Sequence, residues 1–144
     1  MTVYTYHTSD TENVGNSIFV FAAAKINFRT FGHTDLACRN YGAQLSRVQG
    51  YSRSEKTLKG SYSIHVADEN KFALRTIDIL RNIDQFLEYS RVDKANKFHI
   101  TDLTKQVTRA HPAIVARLFV GAHTNCIFPE SWKEWIEPPV IPGY

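Results

Sequence analysis

Lys105 and Arg109 stand four residues apart in Thr101-Asp102-Leu103-Thr104-Lys105-Gln106-Val107-Thr108-Arg109, a spacing at which two cations could draw in an anion such as a phosphate. A loop that wraps a phosphate with its own backbone needs N–H groups pointing inward, often with φ > 0, a geometry glycine reaches at little steric cost. Neither this segment nor Ile18-Phe19-Val20-Phe21-Ala22-Ala23-Ala24 contains a glycine. Lys105 and Arg109 could still attract a phosphate electrostatically. His99-Ile100-Thr101 is an H-x-T tripeptide, which used twice lets two histidines flank a phosphate as acid and base. No second copy exists, and His99 lies in an alternating strand, so it reads as structural. His7, His33, His65, His111 and His123 show no metal-ligand spacing, Ser61 and Ser63 lack a nucleophile elbow, and neither Cys38 nor Cys126 has a neighbouring base. No catalytic residue, metal ligand or cofactor is assigned.

Two surfaces offer binding chemistry instead. Between residues 47 and 59, Arg47, Arg53, Lys56 and Lys59 face only Glu55, with Tyr51 interleaved, and Lys25, Arg29 and Arg39 add charge upstream. Cations and an aromatic in one loop can grip a nucleic-acid backbone and stack on a base. The second is Trp132-Lys133-Glu134-Trp135-Ile136-Glu137, where Trp135 and Ile136 border a proline-bearing tail and could anchor a protein contact.

Positioning these groups requires a framework, and the hydrophobic pattern supplies one. Residues 17–24 form a continuous apolar run, as in a strand buried on both faces. Helical spacing follows over 34–41, and residues 46–60 read as a long polar loop. Residues 61–66 alternate as a strand, and 76–91 carry Ile79, Ile83, Phe86 and Leu87 along one helical stripe. A short strand at 97–101, a helix at 111–119 with Pro112 in its first turn, and a strand at 125–128 complete the series. Strands alternating with helices predict an α/β layered domain with a mixed, largely parallel central sheet flanked by helices. The 144 residues fit one domain over 1–135, with 136–144 as a Pro-rich C-terminal tail. With 43% hydrophobic and 22% charged residues and a net charge of +3, the chain reads as ordinary globular protein. Two cysteines, no signal-like N-terminus and no membrane-length apolar run predict a soluble protein of the cytoplasm with no membrane partner.

The order of segments resembles a macrodomain-like family of phage and bacterial genomes, with the pattern F-V-F-G-S-N, G-x-S-Y-A-I-P-T, T-x-I-G-C-G-L-A-G-Y, I-A-P-x-F and N-V-x-L-P-x-x-W. Phe19-Val20-Phe21 matches the first element, Gly60-Ser61-Tyr62-Ser63-Ile64 the second, Thr101 alone the third, Val115-Ala116-Arg117-Leu118-Phe119 the fourth loosely, and Asn125-Cys126-Ile127-Phe128-Pro129-Glu130-Ser131-Trp132 the fifth. The resemblance implies a macrodomain-like sandwich, with the first motif at the ribose and adenine end of ADP-ribose and the glycine loop over the diphosphate. Position by position, Gly-Ser-Asn becomes Ala22-Ala23-Ala24, and Gly-Cys-Gly-Leu-Ala-Gly becomes Thr104-Lys105-Gln106-Val107-Thr108-Arg109. Side chains at those former glycines cost free energy in a left-handed conformation or fill the phosphate space.

The sequence thus predicts a non-catalytic macrodomain-like binding protein, phage-encoded by resemblance and so at work in the host cytoplasm, with a degenerate nucleotide pocket and a protein partner. One alternative keeps an ADP-ribose-like or other NAD-derived nucleotide, with Lys105 and Arg109 in place of backbone N–H groups beside Ala22, Ala23 and Ala24. The other is nucleic-acid binding through the basic loop 47–59.

Overall fold

A computed structural model describes residues 3–25 and 29–137. Six strands, β1 (Thr5–His7), β2 (Ile18–Ala24), β3 (Gly50–Arg53), β4 (Gly60–Ala67), β5 (Phe98–Ile100) and β6 (Cys126–Pro129), form one sheet in the order β1-β6-β5-β2-β4-β3. Every pairing is parallel except β3 with β4. Helices α1 (Thr34–Asn40), α2 (Thr76–Val92), α3 (Pro112–Arg117) and α4 (Lys133–Ile136) complete the domain.

The apolar run in β2 explains the layering. All seven of its residues are buried, and because side chains alternate along a strand they feed two separate cores. Ile18, Val20, Ala22 and Ala24 face the larger core with Ile79, Ile83 and Phe86 of α2 and Val115 and Ala116 of α3. Phe19, Phe21 and Ala23 face the smaller one with Ala37 of α1 and with Tyr41. Helices therefore cover both faces, which is what a parallel sheet demands. Phe86 anchors the larger core, its ring centroid 5.0 Å from Tyr62, 5.5 Å from Phe98 and 6.3 Å from Phe119. Burying such a ring stabilises by about 2–3 kcal/mol.

Two elements depart from the sequence reading. Residues 46–60, expected as a loop, contain β3, which pairs antiparallel with β4 from Gly50↔Ser63 to Arg53↔Gly60. Its four residues carry no apolar alternation, and pairing is possible because the Tyr51 ring crosses Gly60, where a Cβ would lie 2.7 Å from Tyr51 Cε2. β1, also unforeseen, gains its place from β6, with Thr5 opposite Ile127. At the other end α4 continues through Ile136, so helix spans the boundary expected at residue 135. The prolines at 138, 139 and 142 lie outside the described residues. No helix among the described residues is long and apolar enough to cross a membrane.

Candidate functional site

The parallel strands β1, β6, β5 and β2 deliver their carboxyl ends to one edge of the sheet. Beyond β2 the chain passes to α1 and the smaller core, whereas beyond β5 it passes to Leu103 and α3 in the larger core. Neighbouring strands whose exits part to opposite faces leave a crevice, the place where ligands bind in open α/β sheets. A cleft of about 600 Å³ lies there, lined among others by His7, Asp10, Gly32, His33, Asp102, Lys105, Gln106, Glu130 and Ser131.

Two carboxylates organise its floor. Asp102 Oδ1 accepts from the Thr104 amide at 3.1 Å, the Thr104 hydroxyl at 2.5 Å and the Trp132 indole N–H at 3.1 Å. Trp132 is fully buried, so its N–H depends on that carboxylate. Asp10 Oδ1 accepts from the Asp102 backbone N–H at 3.0 Å, and His33 Nε2 lies 3.1 Å from Asp10 Oδ2. Burial by itself would raise the pKa of Asp10. The His33 hydrogen bond, the Asp102 N–H and the charges of His33 and His7 outweigh it and hold the carboxyl below its ordinary value. Asp10 is therefore ionised at neutral pH.

The H-x-T tripeptide is spent on the fold. His99 is 2% exposed, with Nε2 3.0 Å from the Ser9 carbonyl and its ring stacked 4.0 Å from that of His7. Burial and the neighbouring His7 both lower its pKa. The Thr101 hydroxyl donates to the Val20 carbonyl at 2.8 Å, tying the end of β5 to β2.

The residues singled out in the sequence fall in different places. Lys105 is exposed and lines the cleft, whereas Arg109 is exposed and does not line it. Ala22, Ala23 and Ala24 are buried at the end of β2, and Ala23 and Ala24 border only a separate void of about 10 Å³, so none of the three lines the cleft. The turn after β5 opens with a short 3₁₀ helix, Leu103–Lys105. Leu103 and Val107 are buried, the Thr104 amide is spent on Asp102, and the amides of Gln106 and Val107 bond to the carbonyls of Leu103 (3.0 Å) and Thr104 (3.3 Å). None of residues 101–109 has a positive φ.

In the basic loop, Arg47 donates to the Tyr51 carbonyl at 2.7 Å and to the Ser52 hydroxyl at 3.1 Å, and Lys59 Nζ lies 5.7 Å from the Tyr41 ring centroid. Tyr51 stacks on Tyr89 at 5.7 Å. Arg53 and Lys56 are exposed. Upstream, Arg29 and Arg39 both pair with Asp35, and Lys25 lies 4.0 Å from Glu69. Trp135 is half-buried, edge-on to His111 at 6.3 Å, and Ile136 is packed into the larger core, so of that pair Trp135 alone keeps appreciable surface.

The sequence reading gave no role to Asp10, Asp102 or Glu130 and set His33 aside for want of metal-ligand spacing. Asp10 and Asp102 are 92 positions apart, and only Gly32, whose φ of +54° turns the chain before His33, left a local mark. Among the described residues no group of three His, Cys, Asp or Glu side chains could hold a metal ion. Compared with protein-family profiles, curated proteins and solved structures, the chain matches none.

Proposed function

We propose that this chain is a macrodomain-like, non-catalytic binding protein whose diphosphate cradle has been given up and whose cleft has been rebuilt around a different polar ligand. The observation that carries the reading is the contrast at the end of β5. The amides of Thr104, Gln106 and Val107 are bonded within the turn, yet a cleft of about 600 Å³ stays open beside it. A volume of that size is typical of small-molecule sites. The polar lining of the cleft, where Lys105, His7 and His33 stand among Asp10, Asp102 and Glu130, suits recognition by side chains.

A protein partner is the second reading. Exposed Phe72 (65%) and Ile77 (51%) flank the same turn before α2 and favour it, as does the half-buried Trp135. Recognition of nucleic acid through residues 47–59 is the least supported, because Arg47 and Lys59 are already engaged within the protein. The phage origin and host-cytoplasm setting belong to the family resemblance.

The test is a calorimetric titration with ADP-ribose and NAD. The reading expects no binding at micromolar concentration. A micromolar Kd that Lys105→Ala weakens would overturn the loss of the cradle.

A further inference from the structure

A second concavity lies apart from the cleft, where the antiparallel end of the sheet meets α2. It encloses about 680 Å³ and is lined by Tyr62, Tyr89, Gln49, Asn82 and Gln85 among others. Its wall is a cluster of three tyrosines. Tyr51 of β3 and Tyr62 of β4 stand directly opposite each other in the antiparallel register and so share a sheet face, and the Tyr89 ring of α2 lies 5.7 Å from the first and 5.2 Å from the second. Around these rings some polar groups are spent. Gln49 Nε2 donates to the Asn82 carbonyl at 2.9 Å and Asn82 Nδ2 to the His65 carbonyl at 2.9 Å, which fixes the floor. The Tyr89 hydroxyl and the exposed Gln85 side-chain amide, by contrast, have no hydrogen-bond partner among the described residues. Burial pushes the Tyr89 phenol up to about 12, so its hydroxyl keeps its proton and can donate. Aromatic faces beside unspent donors are what a polyproline segment requires of a receptor, because it presents proline rings and unpaired carbonyls and lacks N–H groups at its prolines.

The chain carries such a segment itself. Pro138-Pro139-Val140-Ile141-Pro142 fixes φ at three of five positions and spaces Pro139 and Pro142 as P-x-x-P. The residues just before it are tied down at the far side of the sheet. Ile136 is packed into the larger core, and the Tyr6 hydroxyl of β1 donates to Glu137 Oε2 at 2.5 Å. From β1 across β6, β5 and β2 to β4 is four strand spacings, about 19 Å. Pro139, two residues beyond Glu137, can lie at most about 7 Å from it. The motif is therefore too close to its anchor to enter the groove of its own chain.

We propose that the tyrosine groove receives residues 138–142 of a second copy of this chain, so that the protein self-associates tail to groove. The contact joins two different patches, and reciprocal exchange between two copies closes it as a dimer. It does not depend on what the cleft holds, since the groove and the cleft share no lining residue.

Sedimentation equilibrium of the full chain from about 10 μM to about 1 mM should show its mass rising from monomer towards dimer. Pro139→Ala combined with Pro142→Ala should raise the dissociation constant at least about tenfold, and Gln85→Ala about threefold or more. Each variant's urea midpoint is compared with the parent's, so that a lost contact is told from a lost fold. A second measurement titrates the ¹⁵N-labelled full chain carrying both proline substitutions with a synthetic peptide of residues 136–144. The Gln85 side-chain amide resonance should shift saturably, and a peptide carrying the two alanines should leave it in place. A chain that stays monomeric throughout would overturn the second copy as occupant, even where the peptide binds. Self-association unchanged by the proline pair would overturn the tail as the contact, and a peptide that leaves Gln85 unmoved would overturn the groove as its receptor.

Discussion

Replacing Asp102 with alanine removes the acceptor for two N–H groups and one hydroxyl in a single step. The cost can be worked from their surroundings. Trp132 has no exposed surface, so its indole N–H loses its partner where water cannot easily follow, a penalty of about 1–3 kcal/mol. The Thr104 amide loses the side-chain cap of its 3₁₀ turn, a further 0.5–2 kcal/mol or so. Water entering the space left by the shortened side chain offsets part of this, leaving a net loss of about 1–4 kcal/mol. At roughly 3 °C per kcal/mol for a chain of this size, the melting temperature should fall by about 3–12 °C. Asp102→Asn keeps an acceptor oxygen and should cost less than about 1.5 kcal/mol. Urea unfolding followed by tryptophan fluorescence measures both variants, and combining Asp102→Ala with Trp132→Phe in a double-mutant cycle should give a coupling of about 1–2 kcal/mol. An alanine variant within about 0.5 kcal/mol of the parent, with no coupling to Trp132, would refute the assignment of Asp102 as the organiser of the cleft floor.

Two further predictions concern ionisation. His65 and His99 are held below the ordinary value of 6.5, chiefly by burial, so the unfolded chain takes up protons before the native one and stability should fall as pH drops below 6.5. Asp10 is also held below its ordinary value, which for an acid stabilises the native state: its contribution is present above 3.8 and is lost only as pH falls through its lower native value. Urea midpoints between pH 7 and pH 5 should therefore decline, and His99→Phe should flatten that slope; a slope unchanged in the variant would count against the buried neutral histidine. Cys126 is fully buried with its thiol pushed up to about 12, whereas Cys38 is partly exposed. A thiol-specific chromogenic reagent should label Cys38 well ahead of Cys126 in the native protein, and equal rates would contradict the packing of β6.

Much of the framework was legible in the sequence, and for reasons that can be named. The unbroken apolar run from Ile18 to Ala24 reads as a strand covered on both faces, and the stripe of Ile79, Ile83, Phe86 and Leu87 as an amphipathic helix, and both are found. Both signals are local, carried by residues within one or two turns of each other, so periodicity reveals them. The missing glycines near Lys105 were equally local, and in the turn there the amides of Thr104, Gln106 and Val107 are bonded within the protein. Tertiary structure decided what periodicity cannot reach. β3 exists because Gly60 leaves room for the Tyr51 ring, and β1 exists because β6 offers it a partner. The cleft arises only where the exits of β2 and β5 diverge, and its chemistry comes from Asp10, His33, Asp102 and Glu130, drawn from the segments that follow β1, β2, β5 and β6. Ala22, Ala23 and Ala24 fell outside it because the sheet buries the end of β2. A chain pattern encodes which face of an element is apolar; the meeting of carboxylates 92 positions apart depends on strand order, and strand order is set by the packing of the whole domain.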